Sequence, residues 1–250
     1  MTFDPRNMQI IVTAELKANN NASGLILASA SPRRREILCR LGVPFEVETA
    51  RGVDEEAVRG EGRTVAMRLS TMKAESVREA ISRRETDSKP IVLGGDTVVA
   101  VGEDPGDVLG KPADPDHARE MLRRLSGRAH TVWTGVTVIP ERGDALVEVE
   151  ATRVVFRSLS KAQIETYIAT GDFEGKAGAY GIQGAAVSLI EGFHGCYWNV
   201  VGLPLERTAR LLSACGLVVR RGCECPSHPL QRGGTGCGRP IPCLPRRREP

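Results

Sequence analysis

An apolar run, Leu25-Ile26-Leu27-Ala28, leads through a short polar step into Ser31-Pro32, and Ile37, Leu38 and Leu41 then recur at helical spacing. This junction constrains the fold more than any other part of the chain. Ser31 suits a helix N-cap, and a proline in the first turn gives up no hydrogen bond, because that N–H has no helical partner. Gly42 and Pro44 end the helix. A strand running straight into a helix is the opening of an α/β domain. The charge at this helix start is out of place. Arg33, Arg34 and Arg35 crowd the first turn, where the dipole is already positive and acidic residues are favoured. Free backbone donors meeting guanidinium groups are what a phosphate chain requires. A solvated basic helix end is the competing reading.

The remaining pattern alternates. Residues 45–49 read as a strand, and 64–82 as a helix with Val65, Leu69, Met72 and Val77 on one side. Ile91–Val101 is the most apolar segment, a central strand interrupted by Gly94-Gly95-Asp96. Asp114-Pro115 opens a helix that stops at Gly127, and 131–139 and 145–156 read as strands around a turn. Ser160 with Gln163 forms a capping box for a helix reaching about residue 170. A strand near 186–190 and a helix over 204–214 follow. The fold class is mixed α/β.

At 250 residues the chain suits one large domain or two small ones. No apolar run is long enough to span a bilayer, and residues 1–22 lack the basic start and apolar core of a secretory signal. A cytoplasmic protein is expected. The net charge of +3 is unevenly placed: residues 220–250 hold seven Arg against Glu224 and Glu249, so the body is slightly acidic. That excludes a basic nucleic-acid-binding body. The expected divisions are an extension over 1–23, a domain over 24–215 and a tail over 216–250. The tail is rich in Arg, Pro, Gly and Cys, with too few large apolar side chains to offset chain ordering, and is expected to be disordered. Its Cys223, Cys225, His228, Cys237 and Cys243 do not match the usual zinc-knuckle spacing.

Asp96 lies between Ile91-Val92-Leu93 and Val98-Val99-Ala100. A carboxylate in such surroundings must be paired, protonated, metal-bound or at a cleft edge, unless Gly-Gly-Asp is simply a turn. Lys73, Lys111 and Glu55, taken on their own, read as ordinary solvated charges. The loop over 176–184, Lys-Ala-Gly-Ala-Tyr-Gly-Ile-Gln-Gly, suits close backbone approach to a ligand, and Gln183 offers donor and acceptor to a base edge. A structural glycine-rich turn is again the alternative. The P-loop, dinucleotide-binding, zincin and nucleophile-elbow motifs are all missing. The four histidines lack metal-ligand spacing, and the aromatics are too scattered for a nucleic-acid stacking platform.

Taken together, Leu-Ala-Ser-Ala-Ser-Pro-Arg-Arg (27–34), Gly-Gly-Asp-Thr-Val-Val (94–99), Gly-Lys-Pro (110–112), Leu-Ser-Gly-Arg-Ala-His (125–130), the 176–184 loop and Val-Val-Gly-Leu-Pro-Leu (200–205) resemble the Maf family in order and spacing. The resemblance implies a nucleoside triphosphate pyrophosphatase that uses a divalent cation, Mg²⁺ or Mn²⁺. It also implies an elongated, two-lobed mixed-sheet fold like that of the inosine triphosphatases, a cleft between the lobes, and a homodimer. By position, Asp96 would activate water, as base, metal ligand or both, with Glu55 as a second metal ligand. Arg33, Thr97 and Gln183 occupy the positions tied to nucleotide choice, in the combination that resembles the dTTP/UTP branch, with modified pyrimidine nucleotides within the same class. Ser29, Arg34, Lys73 and Lys111 match substrate-binding positions. A nucleoside triphosphate is the expected partner, with no membrane and no specific nucleic acid.

The alternatives are a 7-methyl-GTP pyrophosphatase and a non-catalytic nucleotide- or nucleic-acid-binding regulator of septum formation. Three departures stand out. Gly175 replaces the aspartate that the family usually carries before Lys-Ala-Gly, which puts the support of Lys176 in question. The segment over 102–108 is longer than usual and reads as an extended hairpin. Both chain ends run past the family core.

Overall fold

The computed structural model describes residues 24–84, 89–102, 107–220 and 230. Its strands are β1 (Leu25–Leu27), β2 (Phe45–Val47), β3 (Ile91–Val101), β4 (Val108–Leu109), β5 (Ala129–Ile139), β6 (Leu146–Phe156) and β7 (Ile190–His194). They form one mixed sheet in the order β2-β1-β3-β5-β6-β7, with β4 pairing β3 off that path. β1 runs parallel to β2 and β3, and the remaining pairings are antiparallel. Parallel neighbours need crossovers. These are supplied by α1 (Pro32–Cys39) and α2 (Gly62–Ser82). After them come α3 (Pro115–Leu125), α4 (Lys161–Ile168), α5 (Tyr197–Val201) and α6 (Leu205–Ala214).

Side chains alternate across the sheet, and the two faces are covered differently. Val92 and Val98 of β3 pack with α2 in small clusters that include Ala74, Val77, Val65 and Leu69. Leu93, Val99 and Val101 join the large core on the other face, with α1, α3, α4, α5 and α6. α2 lies very close to the sheet because glycines let it. A Cβ on Gly94 would stand 2.8 Å from the Ala74 Cβ, and one on Gly135 would stand 2.8 Å from the Ser70 hydroxyl and deeper still into the Ala66 carbonyl. Gly94-Gly95-Asp96 is therefore no turn. It stays in strand register with Thr137, Val136 and Gly135, and its glycines serve helix-on-sheet packing.

The sheet has a gap at the same place. β1 pairs β3 only as far as Leu93, and β4 begins pairing at Val99. Between them, among the described residues, β3 has a strand partner on its β5 side only. Asp96 and Thr97 sit in this gap, beyond the carboxyl end of a parallel strand, where open α/β sheets bind ligands. Being consecutive, they reach opposite faces of the sheet.

Three sequence expectations change. The strand expected near 186–190 is a 3-10 turn, Gly184–Leu189, and β7 starts only at Ile190. Gly184 adopts φ +70, and the N–H of Ala185 is held by the Asp172 carboxylate at 3.1 Å, which together favour a helical turn over extension. The second change is α5, which sequence periodicity does not announce; its residues are all buried, so it has no polar face to mark it. The third concerns the start of the expected tail. Leu217, Val219 and Leu230 pack against the main core, and the Arg220 N–H donates to the Leu41 carbonyl at 2.9 Å. The 1–23 extension, residues 103–106 of the expected hairpin, and the rest of the tail, including its Cys and His residues, lie outside the described residues.

Candidate active site

Ser31 caps α1 as its sequence predicts, accepting from the Arg34 N–H at 3.4 Å. Arg33 and Arg34, in the first turn after this cap, line the cleft at the sheet gap. Arg34 is fixed on three sides: Nε donates to the Gly202 carbonyl at 2.8 Å, one terminal nitrogen to Ser29 Oγ at 3.3 Å, and the other to Thr97 Oγ1 at 3.1 Å. A guanidinium has five N–H groups, so one on each terminal nitrogen is left for an anion. Burial lowers the Arg34 pKa, while Asp96 and Glu55 nearby pull it back up. Arg35 is exposed and belongs to the surface.

Thr97 is committed to this frame. The Thr134 hydroxyl donates to the Asn199 carbonyl at 2.9 Å. A hydroxyl has one hydrogen, so in the 2.9 Å contact between the threonines Thr97 is the donor. Thr97 thus spends its hydrogen on Thr134 and a lone pair on Arg34. Asn199, fully buried on α5, ties that helix to the sheet by donating to the Val132 carbonyl and Thr152 Oγ1, both at 2.9 Å. The carbonyl that anchors Arg34, at Gly202, directly follows this helix.

On the α2 face the chemistry is different. Asp96 is 5% exposed and Lys73 9%. The Lys73 ammonium pairs with Asp96 and stands 2.7 Å from Glu55. Lys111 takes the other Glu55 oxygen at 3.1 Å. Burial raises the Glu55 pKa, but the hydrogen bonds and charges of Lys73 and Lys111 outweigh it and hold the group below the usual carboxylate range. Lys73 is therefore a buried bridge between two carboxylates and not a solvated lysine.

Across the cleft lies the 176–184 loop. Lys176 pairs with Asp172. The Gly178 N–H donates to the Gly110 carbonyl at 2.9 Å, tying this loop to the one that carries Lys111. Ala179 holds φ +62, a left-handed conformation costing a non-glycine residue about 1–2 kcal/mol. Its carbonyl accepts from Tyr167 at 3.2 Å. Tyr180 contacts His130 Nε2 at 2.6 Å, in an edge-on cluster with Phe156. Burial pushes the His130 pKa down to about 3, so its ring is neutral.

The cleft joining these parts has a volume of about 1290 Å³, room for a whole nucleotide. Ser29, Arg33, Arg34, Glu55, Lys73, Asp96, Thr97, Lys111 and Gln183 all line it, so every site residue chosen from sequence comes to one place. The sequence reading missed Asp172, Thr134, Asn199 and Gly202. Gly202 lies within the quoted Val-Val-Gly-Leu-Pro-Leu motif, but nothing local marks its carbonyl as an arginine anchor.

The family model for Maf-like proteins matches residues 24–215. The chain belongs to the Maf family. It is 47% identical over 214 residues to the dTTP/UTP pyrophosphatase of Symbiobacterium thermophilum, covering 85% of this chain and 98% of that protein. It is 48% identical over 198 residues to the protein of the same name from Moorella thermoacetica, covering 79% and 97%. The Agrobacterium fabrum protein of that name is 42% identical over 204 residues, covering 81% and 97%. A solved nucleoside-triphosphatase / dITP/XTP pyrophosphatase from Mycobacterium abscessus shares 15% identity at a TM-score of 0.33, covering 54% of this chain and 75% of that one, too remote to add weight. Within this Maf domain the departure at Gly175 has a structural answer. Asp172, four residues before Lys176, supplies the carboxylate that residue 175 lacks.

Proposed function

We propose that this Maf protein hydrolyses dTTP and UTP between the α- and β-phosphates, releasing the nucleoside monophosphate and pyrophosphate. The observation that carries this reading is the gap in the sheet. It presents a buried carboxylate from one face and a braced guanidinium from the other to a single nucleotide-sized cleft. Phosphoryl transfer needs positioning and charge neutralisation above all. Arg34 and Lys111 neutralise the phosphate chain, and Ser29 holds Arg34 in place while lining the same pocket. Asp96 orients the attacking water and accepts its proton. Lys73 holds Asp96 in place and keeps two carboxylates from repelling each other. Arg33, Thr97 and Gln183 set nucleotide choice. Thr97 does so through the Arg34 fork that it braces, since its own hydrogen is used.

Among the described residues no group of three or more His, Cys, Asp or Glu gathers at one point. The donors that do meet are the carboxylates of Glu55 and Asp96. That pair fits Mg²⁺ or Mn²⁺, since Mg²⁺ is usually held by one or two carboxylates with substrate phosphates and water completing its shell. When bound there, the ion supplies charge neutralisation and a more acidic water. No helix among the described residues is long and apolar enough to cross a membrane. A cytoplasmic homodimer completes the proposal, on the family resemblance.

The test is a substrate panel. With Mg²⁺ or Mn²⁺, dTTP and UTP should be turned over well ahead of 7-methyl-GTP and the purine deoxynucleotides. Preferred turnover of 7-methyl-GTP would reassign the substrate, and no turnover of any member would remove the activity.

A further inference from the structure

We propose that Asp172 is a positioning residue for nucleotide selection, acting through Gln183. The inference rests on the reading of Gln183 as a base contact, made above. Asp172 lies outside every motif that marks the site, yet it lines the cleft and holds both flanks of the Gln183 loop at once. On one flank its carboxylate pairs with the Lys176 ammonium, which also donates to the Asp172 backbone carbonyl. On the other flank its second oxygen accepts from the Ala185 N–H at 3.1 Å.

That second contact caps a helix start that has no cap of its own. Gln183 is the N-cap residue of the 3-10 turn Gly184–Leu189, and its side chain makes no capping hydrogen bond. Capping by Asp172 leaves the Gln183 amide free to face the cleft, where a capping glutamine would be turned back on its own backbone. The fit is close. Gly184 adopts φ +70, and a Cβ there would stand 2.8 Å from an Asp172 oxygen. Ile182, on the near side of Gln183, is rooted in the main core. Gln183 is thus held between a buried isoleucine and a turn that the Asp172 carboxylate fastens at Ala185.

The charge balance agrees. A lone carboxylate in a cleft built for phosphates would repel substrate, but the Lys176 ammonium neutralises it. Two of the three Lys176 N–H groups are used on Asp172, one on its carboxylate and one on its carbonyl. The loop carrying Gln183 keeps its own packing, with Ala179, Tyr180 and Ile182 buried in the main core. Removing the fastening should cost orientation more than stability.

The test compares wild type, Asp172→Ala, Gln183→Ala and the double variant by kcat and KM on dTTP and dGTP. Asp172→Ala should raise KM for dTTP by roughly tenfold with kcat within about threefold, and lower the dTTP-over-dGTP preference by roughly tenfold or more. Because both act through one contact, the double variant should discriminate no worse than Gln183→Ala alone. Asp172→Asn keeps one acceptor and should recover part of the preference. If Asp172→Ala does not fold, Gly184→Ala probes the same contact from the other side and should lower the preference in the same direction. An unchanged preference, an equal loss of kcat on both nucleotides, or additive losses in the double variant would overturn the proposal. Wild type that fails to turn over dTTP would instead overturn the function proposed above.

Discussion

The two faces of β3 hold their halves of the site by different means. On the α2 face, backbone holds backbone: Gly94 and Gly135 let the helix lie against the strands, and Lys73 and Asp96 meet as a consequence. On the opposite face, side chains reach for carbonyls and hydroxyls. Arg34 is framed by Gly202, Ser29 and Thr97, and the Gln183 loop is fastened by Asp172, Tyr167 and His130. The first arrangement fixes the reacting carboxylate rigidly and tolerates no added methyl group. The second can be retuned one hydrogen bond at a time, which suits the half of a site that chooses among nucleotides.

The sharpest way to break this contrast is Asp96→Asn. Removing a positioned base costs about 10²–10⁴ in rate, and because Glu55 still pairs with Lys73, a thermal melt should stay close to wild type. A smaller effect, of the opposite kind, is expected from Gly135→Ala. The new methyl group would enter the Ala66 carbonyl and the Ser70 hydroxyl, so denaturant unfolding should show a loss of about 3 kcal/mol. If Gly135→Ala were neutral, helix-on-sheet contact would not be what places Lys73.

On the other face, Arg34→Lys keeps the charge and loses the fork. Hydrogen bonds to charged groups are worth about 1.5–3 kcal/mol, so a lysine that no longer presents the fork should lower kcat/KM roughly tenfold to a hundredfold. The lost bonds to Gly202, Ser29 and Thr97 should also lower the melt. The smallest effect concerns His130. Its pKa is about 3 in the folded protein, against about 6.5 unfolded. Its contribution is complete above the unfolded value, and stability is lost as pH falls toward the folded one, with a slope approaching about 1.4 kcal/mol per pH unit. His130→Phe should flatten that part of a stability-against-pH curve. An unchanged slope would mean that the ring is protonated, or reached by water, in the folded state.

Much of this was legible in the chain. Ser31-Pro32 marks its helix because capping is a local matter, and the Asp114 cap and the Ser160–Gln163 box are borne out for the same reason. The apolar flanks of Asp96 announce a carboxylate that must be partnered. What stayed hidden depends on contacts between distant segments. Lys73 reads as solvated until the glycines of β3 and β5 bring α2 onto the sheet. Gly202 and Asp172 act through a carbonyl and a loop crossing that no periodicity records, and the Gly184–Leu189 turn is fixed by a carboxylate earlier in the chain.

The most direct test of the central claim is product identification with dTTP as substrate, by phosphorus NMR, on wild type and Asp96→Asn side by side. The account predicts dTMP and pyrophosphate in equal amounts from wild type, and the same products formed at least a hundredfold more slowly, in keeping with loss of a general base, by Asp96→Asn. Orthophosphate with dTDP, or an Asp96→Asn enzyme as fast as wild type, would contradict it.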